Sequence, residues 1–239
     1  MIPIGDDNPT RRLAIVNYTL LAVNIVFFIY ELSLGSRQLD RFINLWGVRS
    51  TEVVGLLGGD LGLLRLVLLK SLVSMFLHGG WLHVGGNMLF LWVFGDNVED
   101  NFGSFAYLFF YVLSGFGAVL AQALLTPSAD VPSIGASGAI SGVLAAYLLL
   151  YPRASIRALL PLLIIFTVIR VPAWLMIIIW FGTQLLNSLA SLTEAASLSG
   201  GVAYGAHIGG FVAGLIMTFF FRKPQRPPRY AITDRSYRR

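Results

Sequence analysis

Long apolar runs are the feature that most constrains what this sequence can fold into. Residues 13–34 read LAIVNYTLLAVNIVFFIYELSL, and further apolar runs recur as far as residue 221. A helix needs about 20 apolar residues to cross the hydrocarbon core of a bilayer, which is about 30 Å thick. With 56% hydrophobic residues, 12% charged residues and a mean hydropathy of +0.74, the chain is too apolar for an ordinary soluble domain. The sequence therefore predicts a membrane protein.

Six apolar stretches predict an all-α bundle of six transmembrane helices, formed as one domain by residues 13–221. We place the helices at about 13–34, 81–94 or 81–98, 105–125, 137–151, 172–187 and 202–221. The fourth helix is short, because about fifteen residues at about 1.5 Å each cover only ~22 Å of the core. One end of this central helix is therefore expected to lie inside the bilayer.

The connections between these helices carry most of the charged residues. The long first outer loop, residues 35–78, mixes charges with apolar patches and is expected to hold amphipathic helices lying in the membrane interface. The acidic segment after the second helix, residues 95–101, predicts a turn. Arg170 would be costly inside the bilayer, so we start the fifth helix near Pro172 and expect the preceding apolar run to lie along the interface.

Basic residues indicate how the chain is oriented. They occur in the N-terminal segment 1–12, in the connection between the fourth and fifth helices, and in the tail 222–239, which holds seven of the seventeen Lys and Arg residues. The positive-inside tendency assigns these segments to the cytoplasm, as expected for a multi-pass protein of the cell membrane. The tail is expected to meet anionic lipid, and no recognition motif indicates nucleic acid as a partner. Since the chain has no cysteine, disulfides, thiolate metal sites and a cysteine nucleophile are excluded.

Four polar side chains share one depth near the starts of the second, fourth and sixth helices. They are His83, Asn87, Ser137 and His207. The backbone N–H of Ser137 belongs to the first turn of a helix, where unpaired donors and the helix dipole favour a developing oxyanion. His207 could serve as the base that activates the Ser137 hydroxyl, and His83 and Asn87, four residues apart, lie on one helix face.

Small residues suggest how the fourth and sixth helices meet. Gly138 and Gly142 form one face of small residues, and Gly210 and Gly214 form another. Two such faces let helices approach closely, which would allow a direct hydrogen bond between the serine and the histidine.

Each of these features has a plainer interpretation. Ser137 among glycines is, taken alone, more often a packing residue, and His83 with Asn87 or His207 alone could be interhelical hydrogen-bonding groups. The shared depth favours function, because polar groups in lipid are costly. A transporter or metal permease that uses the three histidines is a further alternative. However, His78 and His83 are five residues apart, and the chain has no HExxH motif.

Three motifs together resemble the signature of the rhomboid intramembrane serine proteases. They are GASG around Ser137, AHIGG around His207 and HGGWLHVGGN from His78 to Asn87. The resemblance implies a Ser/His dyad without an acidic third member that cleaves transmembrane segments of other membrane proteins through an acyl-enzyme. It requires no cofactor or metal, and its partners are transmembrane substrates and the lipid bilayer, with the active site opening toward the outer side. The sequence leaves the oligomeric state undetermined.

The same resemblance assigns a role to each matching position. Ser137 is the nucleophile and His207 the general base, and His83, Asn87 and the Ser137 backbone N–H form the oxyanion hole. His78 matches a histidine with a structural role. The substrate gate is expected at the fifth helix and at the loop 189–201 that follows it. A non-catalytic relative that binds membrane clients is the alternative, and loss of the serine or the base would mark it.

The sequence departs from the family pattern at three places. Leu69-Lys70 stands where some members have a Trp-Arg pair. Ser141 stands where some have a tyrosine that stacks on the base, and Ile134 where some have a glycine. Other positions, Gly95, Glu99 and Gly103, fit the family's turn after the second helix. These departures are expected to affect the orientation of His207 and the geometry of the loop before Ser137.

Overall fold

The computed structural model describes residues 1–162, 165–191 and 203–224. Most of this part of the chain is helical, with one small sheet and a 3₁₀ turn at Leu61–Leu63. The helices are α1 Ile15–Ser33, α2 Ser36–Trp46, α3 Ser50–Leu57, α4 Leu64–Ser74, α5 Trp81–Phe102, α6 Ser104–Leu125, α7 Ser137–Leu150, α8 Ala173–Ser191 and α9 Tyr204–Phe221. The strands are β1 Ile2–Asp6, β2 Ser155–Leu162 and β3 Ile165–Pro172.

The predicted apolar helices are present, and most begin and end within a few residues of the predicted bounds. In the described ranges, α1, α6 and α9 are long and apolar enough to cross a membrane, whereas α7 and the apolar part of α8 are shorter. This architecture fits a membrane protein. The count of six spanning helices stays a prediction, as does the interfacial position of α2, α3 and α4. The tail beyond residue 224 and most of the loop 189–201 lie outside the described residues.

Helix α7 lies at the centre of the bundle. Only Ser137, Leu148 and Leu149 in this helix are not fully buried. A Cβ atom added at Gly210 would lie 1.9 Å from the Gly138 carbonyl oxygen, so α9 rests directly on the backbone of α7. The close approach predicted from the glycine faces is confirmed, and it sets the distance between the starts of these two helices.

The acidic segment after the second predicted helix is not a turn, and this prediction is wrong. Helix α5 continues through residues 95–101 and ends at Phe102, where Gly103 adopts a φ of +88°. The Glu99 carboxylate accepts hydrogen bonds from the backbone N–H groups of Val16 (3.1 Å) and Asn17 (2.7 Å). It thereby caps the N-terminus of α1, where unpaired donors and the helix dipole favour an anion. The charge is satisfied within the bundle, so the helix need not end before it.

Strands β2 and β3 correct both the all-α prediction and the predicted interfacial run. Strand β2 is the central strand of the sheet, and it pairs antiparallel with β3 along one edge and with β1 along the other. Along β2, Ile156 and Ala158 are buried whereas Arg157 is exposed, which is the period of two expected for a strand. A short apolar run rich in Ile and Val fits a strand as well as a helix, and hydrophobic periodicity alone does not separate the two. Arg170 lies exposed on β3, with its guanidinium 3.7 Å from the Asp7 carboxylate.

The sheet and several helix ends meet at one end of the bundle, which we call the inner end. The Tyr147 hydroxyl, near the end of α7, donates a hydrogen bond to the Asp6 carboxylate on β1. The Lys223 backbone N–H, just beyond α9, donates to the Asn101 side chain near the end of α5 (3.0 Å). Helices α5, α7 and α9 therefore all end there, and their starts lie together at the opposite, outer end.

Candidate active site

Ser137 and His207 are brought together at the outer end of the bundle. Ser137 is the first residue of α7, and His207 lies in the first turn of α9. The His207 Nε2 atom is 2.7 Å from the Ser137 Oγ atom. His207 is only 8% exposed, so this hydrogen bond is largely shielded from solvent. An imidazole in this position can accept the hydroxyl proton, which is what activates a serine nucleophile.

The imidazole of His207 is held from its other side by α8. Its Nδ1 atom is 2.8 Å from the Oε1 atom of Gln184, and its ring lies 6.0 Å from the Trp180 ring at an interplanar angle of 34°. The Tyr204 ring packs edge-on against the same imidazole. Sequence reasoning did not identify Gln184. The signal available was a single glutamine in the predicted fifth helix, where a polar side chain is costly and usually has a purpose.

The side chain of His83 points toward the serine. The Gly79 backbone N–H donates to His83 Nδ1 (3.2 Å), so in the neutral imidazole the proton lies on Nε2. A Cβ atom added at Gly135 would lie 2.6 Å from His83 Nε2 and 3.7 Å from Ser137 Oγ. The Nε2–H donor therefore reaches the neighbourhood of the serine because residue 135 has no side chain.

Asn87 lies one turn after His83 on α5. Its side chain is 8% exposed, and among the described residues its Nδ2 atom has no hydrogen-bond partner. The first backbone N–H groups of α7, including that of Ser137, have no acceptor within the helix, as at every helix start. His83 and the start of α7 thus bring hydrogen-bond donors near the Ser137 hydroxyl, and the unpartnered Asn87 amide lies one turn further along α5.

His78 is a buried neighbour of His83, with ring centroids 5.0 Å apart in an edge-on arrangement. Its backbone N–H donates to the Glu31 carboxylate on α1 (3.1 Å), which ties the start of α5 to α1. Burial, with a smaller contribution from His83, lowers the pKa of His78 to about 4. The ring is therefore neutral at physiological pH.

The three departures from the family pattern each have local contacts. The Ser141 hydroxyl donates to the Ser137 carbonyl (2.6 Å). The imidazole of His207 is oriented instead by its contacts with Gln184, Trp180 and Tyr204. The buried Lys70 ammonium pairs with the Glu52 carboxylate of α3. The Ile134 side chain packs near Gly47 in the first loop. The Gly135 backbone N–H donates to the Ser74 carbonyl (2.8 Å), so the loop before Ser137 is anchored to the end of α4.

Within the described residues, no group of three or more His, Asp or Glu side chains is arranged to hold a metal ion. His83 and His207 both face Ser137, and the His78 ring lies against His83. His207 contacts Ser137 and Gln184, whereas His78 and His83 lie against each other.

Comparisons with known proteins agree with the motifs. A family model described as the Rhomboid domain matches residues 63–224. Rhomboid-like protein 11, chloroplastic, of Arabidopsis thaliana is 25% identical over 84% of this chain and 66% of its own length. Rhomboid protein 1, mitochondrial, of Saccharomyces cerevisiae is 29% identical over 86% of this chain and 53% of its own length. Rhomboid protease AarA of Providencia stuartii is 30% identical over 85% of this chain and 71% of its own length. The chain thus spans between about half and two thirds of the length of the first two of these relatives.

Proposed function

The chain belongs to the rhomboid family, and we propose that it is an intramembrane serine endopeptidase. It cleaves transmembrane segments of other membrane proteins by a Ser137/His207 dyad. The observation that carries the proposal is the 2.7 Å contact between Ser137 Oγ and His207 Nε2 at the start of a buried helix. A serine that served only in helix packing would not need an imidazole partner or the donors that surround it.

Acylation begins when Ser137 Oγ attacks the carbonyl carbon of the scissile peptide bond. The hydroxyl proton passes to His207 Nε2, and the negative charge develops on the former carbonyl oxygen. His83 Nε2–H, the Asn87 amide and the Ser137 backbone N–H donate to that oxygen. When the tetrahedral intermediate collapses, the C–N bond breaks and the leaving amine takes the proton from His207. An ester between Ser137 and the N-terminal part of the substrate remains.

Deacylation reverses the proton movements with water in place of the hydroxyl. His207 Nε2 accepts a proton from the water as it attacks the ester carbonyl, and the same donors stabilise the second oxyanion. Collapse breaks the ester bond and returns the proton to Ser137 Oγ. The net reaction hydrolyses one peptide bond, and no cofactor or metal takes part.

The proposed substrates follow from where the site lies. Many large apolar side chains of the described helices are exposed on the surface of the bundle, and the serine lies near its outer end. A substrate helix is therefore proposed to approach from the lipid and to unwind locally at Ser137. Relatives named as mitochondrial and chloroplastic are among those that match, so which membrane holds this chain is left to experiment.

The test uses the full chain purified in detergent and treated with a fluorophosphonate probe for active serines. We expect the probe to label the wild type and to label neither Ser137→Ala nor His207→Ala. Cleavage of a model transmembrane substrate in proteoliposomes is expected to fall by about 10⁴-fold in both variants. If the wild type is neither labelled nor able to cut the substrate, while its Tm shows that it is folded, the protein is not a serine protease.

A further inference from the structure

We propose that Gln184 is a positioning residue that fixes the tautomer of His207. This inference rests on the proposed serine hydrolysis and adds a third member to the dyad. Gln184 lies on α8 and is 8% exposed, with its Oε1 atom 2.8 Å from His207 Nδ1. The hydrogen bond thus lies on the side of the imidazole opposite to Ser137.

The orientation of the Gln184 amide is set by its own helix. The amide nitrogen donates to the Trp180 carbonyl oxygen (3.2 Å) and to the Thr183 hydroxyl oxygen (3.1 Å). The Thr183 hydroxyl in turn donates to the same carbonyl (2.6 Å), so its oxygen is available as an acceptor. Because a backbone carbonyl can only accept, the NH₂ group must face it, and the amide oxygen must face His207.

The tautomer of His207 follows from that orientation. An amide oxygen can only accept, so the proton of the neutral imidazole lies on Nδ1. The lone pair then lies on Nε2, 2.7 Å from Ser137 Oγ. This is the tautomer that can take the serine proton. With the proton on Nε2 instead, the imidazole could only donate to the hydroxyl and could not act as a base.

Burial explains why an amide suits this position. Both partners are 8% exposed, so water does not compete for their hydrogen bond. A carboxylate at the same place would have to be desolvated among apolar helices, whereas a neutral amide costs much less to bury. When His207 becomes an imidazolium, its Nδ1–H still donates to Gln184 while Nε2–H faces the leaving amine. The glutamine thus holds the ring in one orientation throughout the reaction.

The kinetic test compares Gln184→Leu and Gln184→Glu with the control Gln38→Leu, which makes the same amide-to-leucine change at an exposed position of α2. We expect kcat of Gln184→Leu to fall by ~10²-fold with KM unchanged, since base catalysis is impaired and substrate binding is not. Gln184→Glu retains the acceptor and should keep more activity. Its carboxylate stabilises the imidazolium, so the acid limb of its pH–kcat profile should move to higher pH. Among the described residues, the other titratable side chains that face the ring are Tyr204 on α9 and His83 across Gly135, and every variant retains both.

A second readout observes the tautomer directly. The chain has three histidines, so ¹⁵N-histidine NMR spectra of the full chain in detergent can be assigned by subtraction with His207→Ala. In the wild type we expect the neutral His207 ring to carry its proton on Nδ1, and in Gln184→Leu a shift toward the Nε2–H form. Wild-type kcat and an unchanged tautomer in Gln184→Leu would overturn the proposal while leaving the protease intact. Absence of fluorophosphonate labelling in the wild type would instead reject the proposed function itself.

Discussion

One glycine in the loop before Ser137 controls how closely His83 can approach the serine. Gly135 has a φ of +122°, and a Cβ atom there would lie 2.6 Å from His83 Nε2. Gly135→Ala should therefore strain the loop and displace the imidazole. Loss of one oxyanion donor costs about 10²- to 10³-fold in kcat, and we expect a fall of that size in cleavage assays.

Gly79→Ala is the matched control for this prediction. A Cβ atom at Gly79 would lie 3.8 Å from the Nδ1 atom of the same imidazole, an ordinary contact, and the backbone there needs no left-handed conformation. We expect its kcat to stay within about 3-fold of the wild type, which is well below the loss of an oxyanion donor. Equal activity of the two alanine variants, at equal Tm, would show that His83 does not act on the oxyanion.

At the residue scale, the sequence indicates which polar side chains meet but not how each is oriented. His83, Asn87, Ser137 and His207 could be grouped because each lies near the start of an apolar helix. Their functional roles stay predictions. The partner of His207 could not be found in the same way, because Gln184 lies at neither end of its helix and 23 positions before the histidine. Its role follows only from the packing of α8 against α9.

At the scale of helices, α5 and α8 meet beside the site and leave the surface of α5 uncovered at Gly86. The Phe90 and Trp180 rings, with centroids 6.2 Å apart, join the two helices. One turn earlier on α5, a Cβ atom added at Gly86 would meet no atom within 4 Å. At about 100° per residue, Gly86 lies about 60° around the helix from His83. A substrate helix that entered between α5 and α8 would therefore pass Gly86.

Gly86→Phe is expected to place a bulky side chain on this uncovered surface of α5 without touching the dyad. Cleavage of a transmembrane substrate should fall by roughly 10-fold or more, because the substrate can no longer be positioned, whereas labelling by a small fluorophosphonate should persist. Gly85→Phe is the control, since Gly85 has equally open surroundings but lies about 160° from His83. Equal cleavage by the two variants would indicate that substrates enter elsewhere.

Helices were more predictable from the sequence than the segments that join them. Runs of apolar residues locate α1, α6, α7 and α9 because lipid requires their backbone groups to be paired within the helix. Strands β2 and β3 are not predicted because their short apolar runs fit a helix as well as a strand. The pairing of β2 with β1 also joins residues about 150 positions apart in the chain. The extension of α5 was missed for a similar reason, since Glu99 is satisfied by α1, 82 and 83 positions away.

Across the whole molecule, more of the described Lys and Arg residues lie at the inner end than at the outer end, where the proposed chemistry lies. The inner end holds the sheet, the ends of α5, α7 and α9, and seven of the twelve Lys and Arg residues in the described part of the chain. Those basic residues are Arg11, Arg12, Arg153, Arg157, Arg170, Arg222 and Lys223. Ser137, His83 and His207 lie at the outer end. Because Lys and Arg favour the side from which a membrane protein is inserted, the inner end is expected to face the cytoplasm or the equivalent compartment of an organelle.

Two single-cysteine variants can test this orientation, because the natural chain contains no cysteine. Thr10 is exposed next to the sheet, and Ser128 is exposed in the loop between α6 and α7. Neither Thr10→Cys nor Ser128→Cys changes the charge that sets the topology. In intact cells or right-side-out vesicles, a membrane-impermeant maleimide should label Ser128→Cys at once and Thr10→Cys only after the membrane is permeabilised. The opposite pattern would place the outer end of the bundle, with Ser137, on the cytoplasmic side of the membrane and would contradict the predicted topology. Labelling of both positions before permeabilisation would mean that they lie on the same side, and the bundle could not then span the membrane as its helices predict.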